Sequence, residues 1–268
     1  MAESFFLPDP PGVEQPKDLN SRPNWSSARR GPDEAPYDQV HLGVGGASFG
    51  SVVVGLYGLW HQRGWGEGGT SCDLGLVLSH DGIFFEEPVI GHAYISHEDS
   101  PVTAIPGRNY PNILCQGNGI LNVGEKTLIY HGRWRNADEP SPDNYCEIAL
   151  ATLPRDRWGA LGLNPGATEG AVWSAPIRLP AATTRIFLNA DGTQDMRVEI
   201  ADDRFSLHEG YSGDNSGTAS LPAGLDCPVT WPKGDLSKLA GKTIRLRISF
   251  DKKGKEQSRL YAVYLRAK

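Results

Sequence analysis

Little in this chain favours helices, metals or membranes. Glycine and proline are frequent, at 32 and 20 residues of 268, and the apolar runs between them are short. Long helices therefore have little room, and the chain reads as mostly β. No run of about 18 apolar residues occurs, which excludes an ordinary membrane-spanning helix. The four cysteines, Cys72, Cys115, Cys146 and Cys227, lie far apart without C-x-x-C spacing, which argues against a zinc site and against a dense disulfide scaffold. Basic charge is not in excess: the formal net charge is -6 and the pI is near 5.7. That balance argues against nucleic acid as the main partner, because neutralising phosphates takes a basic face. The one Lys- and Arg-rich stretch, KGDLSKLAGKTIRLRISFDKKGKEQSR, is spread over turns and alternating strand positions and reads as a solvated sheet face. The G-x-S-x-G match, Gly46-Ala47-Ser48-Phe49-Gly50, runs into a further apolar strand candidate instead of a helix, so a serine-hydrolase nucleophile elbow is not expected. GVGGASFG lacks the Gly-Lys-Ser/Thr ending and the following helix of a phosphate loop. No metal or cofactor is expected.

What is present is enough apolar content, 39%, to pack a core in one large or two ordinary domains. The first residues, MAESFFLPDPPGVEQPKDLN, carry no basic region followed by an adequate apolar core, so no secretory signal is expected. The sequon Asn24-Trp25-Ser26 is too common by chance to decide compartment. Localisation stays unassigned, with the cytoplasm as the default.

Residues 1–36 are rich in Pro, Asp, Ser and Arg and read as an irregular lead-in. From Tyr37 four short strand candidates follow: YDQVHLGVGGASFG, SVVVGLYGLWH, SCDLGLVLSHDG and IFFEEPVI. A second set, ILCQGNGILNVG, KTLIYHGRW, NYCEIALATLPRDRW and AVWSAPIRLP, matches the first in order. Each set has a Gly-rich first strand, an apolar second strand ending in aromatic and His residues, and a third with an acidic residue beside Cys. An internal repeat of roughly 75 residues with four strands per unit and a Gly-rich first strand fits blades of a β-propeller. Beyond about residue 171 the pattern changes. TRIFLNADGTQDMRVEIAD is a hairpin-like pair about Asp191-Gly192, and TIRLRISF and RLYAVYLRAK alternate as strands of a β-sandwich do. The expected architecture is thus all-β: a lead-in over 1–36, a partial propeller of blade-like four-stranded units over 37–170, and a C-terminal β-sandwich over 171–268.

The turn Ser79-His80-Asp81-Gly82 follows an alternating strand and reads as a chain reversal. Gly accepts a positive φ and Asp bonds its own turn backbone, so Asp81 is expected to be structural and His80 to lie in solvent.

On the segments LSHDGIFFEEP, GNGILNVGEKTLIYHGRW and ATLPRDRWGAL, the chain resembles the glycoside-hydrolase propeller superfamily of the arabinanase and fructosidase type. It is most similar to members in which LPRDRWGAL leads into a C-terminal sandwich with LNADG, RVEI, LAGKTIRLRISF and LYAVYL. The likeness covers most of residues 37–268. SHDGIFF also resembles the Asp-box of sialidases, a folding element on the outer side of a propeller. The resemblance implies carboxylates near the axis at the start of innermost strands, one a general acid and another a base or nucleophile. Asp38 opens the first strand of the first set and is the catalytic candidate; it also fits a cap on the turn after Pro36. The corresponding place in the second set, CQGNG, offers Gln116 and Asn118 and no carboxylate. Glu87, Glu98, Asp99 and Glu147 remain for the second acid.

His41, Trp60, His61, Gln116, Asn118, His131, Arg133, Trp134 and Arg135 are the substrate-binding candidates. Indoles stack on sugar rings while His and Arg bond hydroxyls or pair with anions; amphipathic rim packing is the alternative. Two functions follow: hydrolysis of a glycosidic bond by two carboxylates, or a non-catalytic carbohydrate-binding or assembly subunit that completes a split propeller. Two blade-like units cannot close a ring, and their open edges predict a homo-oligomer or a partner subunit. Carbohydrate is the expected ligand, and neither nucleic acid nor membrane is an expected partner.

Overall fold

The computed structural model describes residues 38–39, 43–61, 71–107, 112–135, 143–181, 184–252 and 257–267. Among them the regular structure is strand throughout, relieved only by short 3₁₀ turns such as Leu236–Leu239. The protein is all-β. It divides into two compact units: the described residues of Met1–Leu121 with Leu128–Thr152, and those of Asn122–Thr127 with Leu153–Lys268.

In the first unit, strands β1 (Asp38–Gln39), β2 (Gly45–Phe49), β3 (Val52–His61), β4 (Ser71–Ser79), β5 (Ala93–Ile95), β6 (Asn112–Cys115), β7 (Ile120–Val123), β8 (Lys126–Arg135) and β9 (Tyr145–Pro154) join in one sheet. The internal repeat is visible in its pairing. β3 and β8 are each a ten-residue strand, and each carries two short segments on one flank and a long strand on the other. β1 and β2 line β3, with β4 opposite; β6 and β7 line β8, with β9 also paired to β8. The Gly-rich first strand of each set is therefore broken in two. Among the described residues a single parallel pair, Cys72 with Ile113, joins β4 to β6.

The breaks meet each other. Gln116 Nε2 donates to the Gly43 carbonyl at 2.9 Å, and Asn118 Oδ1 accepts from the Gly46 N–H at 3.3 Å. A Cβ on Gly45 would lie 2.4 Å from the Gly117 carbonyl oxygen, so only glycine allows this backbone approach. The Ser79–Gly82 turn closes β4 as its sequence predicts. Asp81 Oδ1 accepts from the Ile83 and Phe84 N–H groups at 2.8 Å each, and Gly82 takes a φ of 73°. Those two N–H groups hold the Asp81 carboxyl below the usual carboxylate range. IFFEEPVI does not form the expected fourth strand. It pairs with the sheet through a bridge between Glu86 and Leu78, with Phe85 packed on Tyr57, Leu59 and Val77 and Glu87 accepting from the Tyr57 hydroxyl, while Ile83, Phe84, Val89 and Ile90 are exposed.

The second unit holds two four-stranded antiparallel sheets. One contains β10 (Glu169–Trp173), β11 (Ile177–Arg178), β13 (Met196–Ala201) and β16 (Thr243–Asp251). The other contains β12 (Thr184–Asp191), β14 (Thr218–Ala219), β15 (Ala223–Thr230) and β17 (Arg259–Ala267). AVWSAPIRLP, expected to close the second strand set, is instead split between β10 and β11, which both pair with β16. Alternation in β16 buries Ile244, Leu246, Ile248 and Phe250 in one cluster with Ile186 and Leu188 of β12, Val198 and Ile200 of β13, Cys227 of β15 and Leu260 of β17. Each fully buried Leu or Ile contributes about 1.5–3 kcal/mol relative to exposure. The segments LPRDRW and LNADG also meet here. Arg157 grips Asp191 with two hydrogen bonds of 2.9 Å, donates to Asn189 Oδ1 at 3.0 Å and lies over the Tyr261 ring. Asp156, at a φ of 59°, accepts from the Tyr264 hydroxyl at 2.6 Å. LPRDRW thus reads as a structural clasp on the β12–β17 edge.

Candidate functional site

The foreseen binding residues of the first unit divide between the two faces of its sheet. Residues in register on paired strands share a face, and successive residues alternate. Asp38 stands opposite Trp60, Trp60 opposite Cys72, Cys72 opposite Ile113, and Ile113 opposite Trp134. One row crosses five strands and sets Trp60 and Trp134 on the same face, three strand spacings or about 14 Å apart. Trp134 is 40% exposed, whereas Trp60 is half-buried and its indole N–H makes no hydrogen bond. Tyr130 is exposed on the same side of β8. Asp38 is described only by its place in the strand. His41 lies outside the described residues, as does the side chain of His61.

His131, Arg133 and Arg135 occupy the opposite face of β8, where they anchor the segment that leads from β5 to β6. His131 is buried and its Nε2 lies 2.8 Å from the Ser100 hydroxyl. Arg133 pairs with Glu147 at 2.9 Å. Glu147 in turn accepts from the Thr103 N–H at 2.8 Å and the Thr103 hydroxyl at 2.9 Å. Arg135 donates to the Asp143 and Thr103 carbonyls and covers the Tyr145 ring. Asp73 of β4, also buried, accepts from the His97 N–H and from its Nδ1, both at 2.6 Å. Asn112 of β6 donates to the His97 and Ser100 carbonyls and accepts from the Val102 N–H. Polar groups from β4, β6, β8 and β9 thus converge on residues 97–103.

The electrostatics follow from burial and partners. Burial alone would raise the Glu147 carboxyl, but Thr103 and the Arg133 and Arg135 guanidinia hold it below the usual range. Burial pushes His131 down, with the Arg133 charge acting the same way and the nearby Ile129 carbonyl opposing; its Nδ1 has no well-formed hydrogen bond. A neutral native ring binds fewer protons than the unfolded one. Its contribution to stability is therefore complete above the ordinary value of 6.5 and is lost as pH falls below it. The unfolding midpoint of the first unit is expected to drop between about pH 7 and pH 5. His131→Gln is expected to flatten that part of the profile, measured by fluorescence-detected denaturation of both proteins at each pH; superimposable profiles would show that His131 has no share in it. Burial raises the Cys72 thiol, helped by Cys115 and Asp73, and pushes Cys115 up to about 11, helped by Cys146.

No family model and no curated protein matches the chain. Among solved structures the resemblance is distant. One such structure is a glycoside hydrolase family 43 arabinoxylan arabinofuranohydrolase from Bacillus subtilis, in complex with cellotetraose, at 11% identity and a TM-score of 0.25 over 84% of this chain. Another is a family 32 β-fructofuranosidase from Bombyx mori, at 9% identity and a TM-score of 0.24 over 87% of this chain and 80% of its own. The present chain spans about half, 54%, of the arabinofuranohydrolase.

Among the carboxylates considered for a second acid, Glu147 is engaged as described, and Glu87 accepts from the Tyr57 hydroxyl and from the Gly91 N–H. Glu98 and Asp99 are exposed on the turn that carries His97. By register the counterpart of Asp38 in the second set is the buried, apolar Ile113, and not Gln116 or Asn118. Sequence reasoning missed Asp73, Asn112 and Ser100. The available signal was an aspartate inside the apolar strand SCDLGLVLS, where a charge is kept only if it is paired.

Proposed function

We propose that this chain is a non-catalytic, glycan-recognising part of a glycoside-hydrolase-like assembly. Its first unit supplies two propeller blades that another chain completes, and its second unit is a β-sandwich. This organisation goes with blades over about residues 37–170 and a sandwich over 171–268. The observation that carries the reading is the register row with Trp60 and Trp134 on one face, combined with carboxylates that serve the fold. Asp73, Glu87 and Glu147 each hold backbone or side-chain partners of their own chain. Indoles spaced across a sheet offer stacking to an extended saccharide without needing an acid pair. The exposed apolar side chains Tyr130, Ile148 and Leu150 suit contact with a further chain.

Titration calorimetry with arabino-, xylo-, fructo- and cello-oligosaccharides is expected to give binding without release of shorter products. Trp134→Ala is expected to weaken that binding about tenfold, the share of one aromatic contact. Light scattering is expected to show an oligomer, or a monomer that gains mass with a partner. Product release by an isolated monomer would overturn the proposal.

The register of β1 favours a second reading, in which the chain is a hydrolase. It pairs Asp38 of β1 in register with Trp60 of β3. If turnover is found, Asp38→Asn is expected to abolish most of it while leaving the fold intact, since an amide cannot take up the proton.

A further inference from the structure

The second unit contains a pocket of about 300 Å³, at the lower end of the range for small-ligand sites. Phe250 and Leu163 supply its apolar wall, and Asn164, Lys252, Gln257 and Asp195 its polar one. Asp195 is the unusual member. It closes the 3₁₀ turn Thr193–Asp195 after β12 and is only 3% exposed. Its Oδ2 accepts from the Ser258 hydroxyl at 3.3 Å, but its Oδ1 is buried without any hydrogen-bond partner. A buried carboxylate oxygen with no donor is costly, on the order of 1–3 kcal/mol or more. The tight packing of Gly192 on Ser258, where a Cβ would meet the serine hydroxyl at 2.9 Å, leaves that turn little room to swing the carboxylate away.

We infer that this pocket binds one neutral sugar residue, whose hydroxyl donates to Asp195 Oδ1. This extends the glycan-recognition reading to a second site. A hydroxyl supplies the missing donor without adding charge. Lys252 and Asp251 both line the pocket and offset each other's formal charge, and among the described residues no group of three His, Cys, Asp or Glu is placed to hold a metal. Calcium would need six to eight oxygens. Gln257 Nε2 is committed to the Leu163 carbonyl at 2.6 Å, which leaves its amide oxygen and the Asn164 amide for further hydroxyls. The apolar side of a pyranose or furanose ring fits against the half-buried Leu163, since Phe250 belongs to the core.

The test is calorimetry and thermal unfolding of the full chain with glucose, galactose, xylose, arabinose and fructose, and separately with calcium chloride. At least one sugar is expected to bind and to raise Tm. Asp195→Asn is expected to weaken that sugar about tenfold or more. The unliganded variant is expected to melt no lower than the parent, because an uncompensated buried charge has gone. Trp134→Ala is expected to leave this monosaccharide binding unchanged. Loss with Trp134→Ala alone would place the sugar on the first unit and overturn the second site while sparing the first proposal. Unchanged affinity in Asp195→Asn, absence of any sugar binding, or a Tm gain from calcium alone that Asp195→Asn abolishes would each overturn the inference. A lower Tm for unliganded Asp195→Asn without sugar binding would identify a buried water as the partner and overturn it equally.

Discussion

Asp73→Ala is expected to lower the stability of the first unit by about 3 kcal/mol, read as a shift in the urea midpoint of tryptophan fluorescence. The substitution removes Oδ1, the shared acceptor of the His97 backbone and ring N–H groups, and leaves a void in strand β4 where Asp73 is only 4% exposed. Hydrogen bonds to a charged acceptor contribute more than neutral ones, and the stranded His97 donors add their own desolvation cost. Asp73→Asn keeps one acceptor oxygen and is expected to recover part of the loss. Protection of the amides of residues 97–103 against hydrogen exchange should fall in the Ala variant, since Asp73 shares the holding of that segment with Asn112, His131 and Glu147. A midpoint within experimental scatter of the parent would mean that His97 finds another partner and that the network is not cooperative.

Arg247→Met should be comparably damaging in the second unit. Glu199 of β13 is buried, with its side chain 5% exposed, and Arg247 of β16 is its cationic partner. Without the guanidinium the carboxylate keeps only the Gly213 N–H at 3.0 Å and a long contact to Ser249. Breaking a buried pair from one side costs about 3–5 kcal/mol. Arg247 is one-third exposed, so water screens part of the loss and about 2–3 kcal/mol is expected. The double substitution Glu199→Met with Arg247→Met is expected to be more stable than Arg247→Met alone, since the stranded charge is then gone. Additive losses in this cycle would show that the two side chains act independently.

The β content and the alternation of β16 were legible because they rest on short-range periodicity, and the Asp81 turn because its residues bond within four positions; the four-strand unit was not, since IFFEEPVI forms no strand and AVWSAPIRLP pairs with β16. The two-part first strand of each set was not legible. Nothing local to GVGG or GNG announces that the two breaks pack on each other, which only the approach of Gly45 to Gly117 reveals. The site was legible as a set of residue types but not as a surface. Trp134 and Arg133 are neighbours in sequence, so they were grouped, yet in a strand neighbours face opposite ways. Trp60 and Trp134, some 70 residues apart, share a face through three registers that no local pattern encodes. Asp195 escaped notice because TQD after the Asp191-Gly192 turn looks like ordinary loop chemistry.

The seam between β4 and β6 has a mechanical meaning. A continuous ladder resists shear with many backbone bonds at once, but here, among the described residues, one parallel pair, Cys72 with Ile113, spans the junction. The load between the two strand sets is shared by side chains: Gln116 on Gly43, Asn118 on Gly46, Ser100 on His131, Thr103 on Glu147, and Asn112 on the carbonyls of residues 97 and 100. Of these links, the ones to His131 and Glu147 involve titratable groups, which a backbone ladder lacks. Pulled from its ends, the unit would yield at this joint before either set of strands unzips.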